Sequence, residues 1–221
     1  MTTKTVLEKE LKISISDEAI WCNMREVLGG ESSAVLEQIN TYFDTADRAL
    51  LGAGGMMIRV REENGAIEVT AKDRIAIDSK AASLQTRERT APLSAAQWQR
   101  VHRGECDLTA LDVDLCRTLR DEVGGPLLPI GSIVNTRHVY ELDDGYIAEL
   151  DRTEFPGGRV DFEVEVELRL PHHSFEGARQ ALALPLEIAG VDRIEPSSPK
   201  YQRFLACLAA ADPMDVDPER D

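Results

Sequence analysis

Charged residues recur at alternate positions along this chain. Glu8, Glu10 and Lys12 share one parity, as do Arg59 and Arg61, Arg87 and Arg89, Glu149 and Asp151, and Glu163 and Glu165. Lys72 and Arg137 stand alone on two further alternating segments. Residues two apart on an extended strand point to the same side, so each set forms one charged face. A solvated outer face explains such a pattern on any single strand. Across strands, however, the acidic and basic sets occupy different segments, whereas ordinary surfaces intersperse the signs. Segregated signs suit a polyanion held together with metal counter-ions. Arginine forks and lysine ammoniums match phosphate oxygens. Carboxylates match Mg2+ or Mn2+, with water and phosphate completing the shell. Like carboxylates two apart also repel, and a shared cation accounts for their common face.

The elements that must carry these faces follow from hydrophobic periodicity. Residues 6–15 alternate, with Leu7, Leu11, Ile13 and Ile15 opposite Glu8, Glu10 and Lys12. Ser16 then reads as the N-cap of a helix carrying Ile20, Met24, Val27 and Leu28, stopped by Gly29-Gly30. A short segment at 33–39 leads into a strand at 38–44, and 50–55 reads as a glycine-rich turn. Residues 56–63 and 67–73 form a hairpin about Gly65, and 83–91 is a further polar strand. Ser94-x-x-Gln97 is a capping box opening a helix with Trp98 and Val101, and 104–124 reads as connecting helix. The second half gives strands at 133–142, 145–155 and 160–170, then helices at 174–184 and 200–210, the last with Ser198 as N-cap and Pro199 at its first position. Strands with intervening helices make an α+β fold. One persistently polar sheet face suggests a barrel charged on the inside.

The 221 residues carry 25 Lys+Arg against 40 Asp+Glu, a formal charge of −15. That balance argues against a partner gripped by a broad basic surface, so neither nucleic acid nor an anionic membrane is expected. No segment approaches the about 20 apolar residues of a membrane helix, and the start of the chain lacks the apolar stretch of a signal peptide. A cytoplasmic protein is expected, with Cys22, Cys106, Cys116 and Cys207 reduced and buried. His172-His173 has no cysteine nearby at ligand spacing and reads as surface. Gly52-Ala53-Gly54-Gly55 lacks the Lys-Ser/Thr of a phosphate loop. Residues 1–211 read as one domain, and 212–221 as an acidic, disordered tail. The oligomeric state is left open.

Glu8-Lys9-Glu10-Leu11-Lys12 has the form ExExK. With Tyr42-Phe43-Asp44-Thr45-x-Asp47, Leu50 to Gly55 and Ile58-Arg59-Val60-Arg61, it resembles the CYTH family, also called triphosphate tunnel metalloenzymes. Thr70-Ala71-Lys72, Arg137, Glu149-Leu150-Asp151, Glu163-Val164-Glu165 and Ser198-Pro199-Lys200-Tyr201 follow in the family's order, so the likeness spans roughly residues 4–210. It implies a closed eight-stranded antiparallel barrel forming a tunnel, with a triphosphate and a divalent metal, Mg2+ or Mn2+, inside. Carried over by motif, Glu8, Glu10, Asp151, Glu163 and Glu165 would bind metal. Lys12, Arg59, Arg61, Lys72, Arg137 and Lys200 would grip phosphates, with one of Arg87 and Arg89 adding a contact. Glu8, Glu10 and Lys12 would be the catalytic set. The expected activity is metal-dependent hydrolysis of inorganic tripolyphosphate, since no separate nucleoside pocket is evident in the sequence. A class IV-type adenylate cyclase, a thiamine triphosphatase and a non-catalytic polyphosphate- or nucleotide-binding barrel are the alternatives.

Overall fold

The computed structural model describes residues 2–50, 56–78 and 83–211. Eight long strands run in antiparallel neighbours: β1 (Lys4–Ile15), β2 (Ala34–Asp44), β3 (Met56–Glu63), β4 (Ala66–Asp78), β5 (Ser83–Pro92), β6 (Leu128–Glu141), β7 (Ile147–Glu154) and β8 (Val160–Glu167). Their order is β5-β4-β3-β2-β6-β7-β8-β1, and β1 pairs back onto β5, which closes the barrel and leaves no long free edge. A two-residue strand, β9 (Glu195–Pro196), pairs with Ile13 and Ser14 of β1. Among the described residues there are five α-helices: α1 (Glu18–Val27), α2 (Ala95–His102), α3 (Asp114–Val123), α4 (Phe175–Ala189) and α5 (Lys200–Ala211). None is long and apolar enough to cross a membrane.

The barrel buries its apolar faces outwards. Leu11, Ile13, Leu150, Val164 and Val166 pack with Trp21 and Met24 of α1 and Leu182 and Leu186 of α4. On the other side Ile58, Val60, Val69 and Ala71 pack with Trp98 of α2 and Leu115 and Leu119 of α3. Each fully buried aliphatic side chain of this kind contributes about 1.5–3 kcal/mol. Because these outer positions alternate with the charged ones, helix packing outside forces Glu8, Glu10, Lys12, Glu163 and Glu165 into the lumen.

A third, smaller cluster docks α5 across one side of the barrel, with Phe204 against Tyr42 at 4.7 Å between rings. Gly131 makes room for it: its φ is +140°, and a Cβ there would meet the Phe204 ring at 3.0–3.1 Å. Gly131 lies opposite Tyr42, where the β2–β6 register shifts.

Several boundaries differ from those predicted. The segment at 33–39 is the first half of β2 rather than a separate element. Asp17, not Ser16, caps α1, its carboxylate accepting from the Ile20 N–H at 3.0 Å while Ser16 Oγ donates to Asp17. The connecting helix at 104–124 is broken: Asp107 caps a single 3-10 turn at Leu108–Ala110, and α3 begins only at Asp114. The Ser94–Gln97 capping box forms as predicted. All four cysteines are unpaired, but only Cys116 is buried: Cys106 and Cys207 are half-buried, and Cys22 is exposed because Trp21 and Met24 take the inward side of α1. The glycine-rich turn expected at 50–55 falls, from residue 51 onwards, outside the described residues, as does the tail expected at 212–221.

Candidate active site in the barrel lumen

The long YFDT-x-D run turns out to build a turn. Asp44 is fully buried, and its Oδ1 accepts from the Thr45 N–H (2.7 Å) and the Leu50 N–H (3.0 Å). Thr45 Oγ1 donates to Asp47 Oδ1 (2.6 Å) and accepts from the Ala49 N–H (2.9 Å). The charged chemistry lies elsewhere, in a cavity of about 420 Å3 lined by Glu8, Glu10, Lys12, Arg59, Arg61, Lys72, Arg137, Glu165 and Lys200.

Its acidic wall comes from three adjacent strands, β7, β8 and β1. Strand register sets Asp151 opposite Glu163, Glu149 opposite Glu165 and Lys12 opposite Glu165. Asp151, Glu163 and Glu165 are all buried, and each offers an oxygen within 4.8 Å of the others. Lys200 Nζ donates to Asp151 Oδ2 and Glu165 Oε1, both at 2.7 Å. Lys12 donates to Glu165 and lies 3.5 Å from Glu10. Arg137 Nε and Nη2 grip Asp151 at 2.8 and 2.6 Å, and Nη2 also reaches Glu165 at 2.7 Å. Glu8 stands apart, accepting from Lys72 and from Thr86 Oγ1 (2.9 Å), and Lys72 is shared with Glu88 at 2.7 Å.

Burial opposes ionisation throughout this wall, and the neighbours decide the outcome. For Glu165, Lys12, Lys200 and Arg137 outweigh burial and hold the carboxyl well below its ordinary range. Asp151 is lowered in the same way by Arg137 and Lys200. Glu10 goes the other way: burial, reinforced by Glu165 and Glu8, outweighs Lys12 and pushes it up to about 7. A carboxyl poised near neutrality can exchange a proton with a bound water.

The opposite wall is basic. Arg59 and Arg61 project from β3 beside Tyr42 and Asn40, their partners on β2. Arg61 Nε donates to Asn40 Oδ1 at 2.9 Å, and burial with Arg59 and Arg137 nearby lowers its guanidinium to about 10. Arg59 is only 8% exposed, forms no ion pair among the described residues, and its Nε has no hydrogen-bond partner.

Among the predicted site residues, Glu8, Glu10, Lys12, Arg59, Arg61, Lys72, Arg137, Asp151, Glu163, Glu165 and Lys200 all reach the lumen or its wall. Arg87 and Arg89 do not. Thr86 lies opposite Glu8, so Arg87 lies opposite the outward Leu7 and both arginines point outside the barrel. Arg87 binds Asp73, and Arg89 makes a two-pronged pair with Glu122 of α3 at 2.7 and 2.9 Å. The charge that β5 presents inwards is therefore Glu88, which the basic flanks obscure in the sequence. Arg87→Ala should accordingly leave both KM and kcat for tripolyphosphate within about twofold, as surface changes away from a site do; steady-state kinetics check it.

An amide network behind Asp151 also escaped the sequence. Asn135 Nδ2 donates to Asp151 Oδ1 (3.2 Å) and Gln38 Oε1 (2.9 Å), and Asn135 Oδ1 accepts from Thr153 Oγ1 (2.6 Å). Asn135 sits two residues before Arg137 on the same face, which is the one signal it leaves in the sequence. The cavity has an apolar side as well, from Leu50, Met57, Tyr201 and Leu205.

The three-carboxylate set fits a hard divalent cation: all donors are oxygens, and Glu163 Oε1 is buried without a hydrogen bond, the Lys200 ammonium lying against it but out of hydrogen-bonding direction. The CYTH domain model matches residues 7–195. The chain belongs to the CYTH domain family. As a CYTH domain it is similar in fold to HpAC1 from Hippeastrum, a candidate adenylyl cyclase described as having a dominant triphosphatase activity. The two are 24% identical over 90% of this chain and 95% of that one, with a TM-score of 0.77. A Bacillus halodurans protein described as a candidate adenylate cyclase is 24% identical over 90% and 98% of the two chains, with a TM-score of 0.69. PH1819 from Pyrococcus horikoshii is 25% identical over 90% and 98%, with a TM-score of 0.54. No curated protein sequence matches this CYTH domain.

Proposed function

We propose that this CYTH domain hydrolyses a triphosphate, inorganic tripolyphosphate first among them, inside its barrel with Mg2+ or Mn2+ bound. Arg59 carries the reading. A buried guanidinium that forms no ion pair among the described residues is costly, and Arg59 faces a cavity whose far wall is carboxylate. An anion bridged by a cation satisfies both walls at once.

In this reading Asp151, Glu163 and Glu165 hold the metal, with Glu8 and Glu10 facing the same lumen. Arg59, Arg61, Lys72 and Arg137 bind phosphate oxygens. Lys12 and Lys200, which here pair with those carboxylates, would bind phosphate oxygens with a metal in the cluster. When bound, the metal neutralises phosphate charge and lowers the pKa of a coordinated water. The residues of the chain hold the terminal phosphorus in line with an attacking water and keep bulk solvent out. A new P–O bond forms to the water oxygen, and the bridging P–O bond breaks to release orthophosphate and pyrophosphate.

The apolar side of the cavity favours a second reading, in which the triphosphate carries an organic group such as a nucleoside or thiamine. Products from tripolyphosphate, ATP and thiamine triphosphate, each with Mg2+, Mn2+ or EDTA, test both. The expected result is metal-dependent orthophosphate release, fastest from tripolyphosphate. Preference for ATP or thiamine triphosphate would install the second reading, cyclic AMP from ATP would make the chain a cyclase, and no product from any of them would reject hydrolysis.

A further inference from the structure

We infer that Arg203 and Ser197 are positioning residues that hold Glu163 from behind, leaving its other oxygen turned towards the metal. The inference rests on the metal-site reading above, and nothing in the chain's motifs points to either residue. Glu163 Oε2 accepts from Ser197 Oγ at 2.5 Å and from Arg203 Nη2 at 2.6 Å. Its Oε1 receives no hydrogen bond and lies on the lumen side, against the Lys200 ammonium and 3.8 Å from that of Lys12. The two oxygens of one carboxylate are thus treated differently: Oε2 is fixed by donors outside the cluster, while Oε1 meets only lumen ammoniums, whose place a cation would take.

Arg203 is itself immobilised. It is 9% exposed, its Nη1 donates to Asp161 Oδ2 at 3.0 Å, its Nε donates to the Ser198 carbonyl at 3.0 Å, and its guanidinium lies 5.4 Å from the Phe155 ring centre. Lys200 and Arg203 are three residues apart on α5, so one helix turn sends Lys200 to the lumen side of Glu163 and Arg203 to its rear. The first turn of α5 therefore grips the carboxylate cluster from both sides. Orienting partners of this kind set metal affinity through the ligand they hold, typically by about 10–100-fold.

The test is direct binding of Mn2+ alone, with no substrate, to wild type, Arg203→Met, Arg203→Lys and Ser197→Ala, followed by calorimetry and by the electron paramagnetic resonance of free Mn2+. Thermal midpoints in EDTA report structural damage separately. Arg203→Met should weaken Mn2+ binding by about 10–100-fold, with Arg203→Lys recovering part of the loss. Ser197→Ala, which leaves the helix intact, should weaken it several-fold. Wild-type affinity in both Arg203→Met and Ser197→Ala overturns the inference, even if the midpoint of Arg203→Met falls. Absence of Mn2+ binding by the wild type itself overturns the metal-site reading, and this inference with it.

Discussion

Glu165→Gln should lower metal-dependent tripolyphosphate turnover by at least about 100-fold in kcat/KM, equivalent to about 2.7 kcal/mol of transition-state stabilisation. Lys12, Lys200 and Arg137 all contact Glu165, and it belongs to the carboxylate cluster. Glutamine keeps the shape but removes the charge, so it offers a cation one neutral oxygen in place of a carboxylate. It also leaves three buried cations sharing fewer anions, which costs stability in the metal-free protein. Turnover must therefore be compared at a temperature where circular dichroism shows both proteins folded. A folded Glu165→Gln protein with wild-type turnover would remove Glu165 from the site.

Arg59→Ala separates binding from stability in the opposite direction. A charge-assisted phosphate contact is worth about 1.5–3 kcal/mol, so KM for tripolyphosphate should rise about 10–100-fold and become less dependent on salt. Yet Arg59 has no ion pair among the described residues and an unsatisfied Nε. Removing it relieves a buried charge, so the melting temperature of the ligand-free protein should hold or rise. Kinetics across a salt series and a thermal melt check both halves. An unchanged KM with a lowered melting temperature would make Arg59 a structural residue.

The fold was legible where charge and hydrophobicity alternate cleanly. In β8, Phe162, Val164 and Val166 against Glu163 and Glu165 fix the faces from the sequence, because one face must meet α1 and α4. The same holds for β1 and for Arg59 and Arg61 on β3. The stretch Thr86-Arg87-Glu88-Arg89-Thr90 resists this reading, since both faces are polar and period-two logic has nothing to choose between. Only the pairing of Leu7 with Arg87 decides it. Neighbouring Ser16 and Asp17 are both good caps, and the choice between them rests on where the first turn starts. Arg203, Ser197 and Asn135 were out of reach for a different reason: each acts on a residue distant in sequence, through contacts that exist only once the barrel has closed and α5 has docked.

The most direct measurement is orthophosphate release from tripolyphosphate as Mn2+ is titrated into EDTA-treated, then desalted, protein. The expected result is no release at the start, a rise that saturates with Mn2+, and a return to baseline on adding EDTA. Release that is undiminished in EDTA, or absent at saturating Mn2+ from folded protein, would contradict a metal-dependent triphosphatase in the barrel lumen.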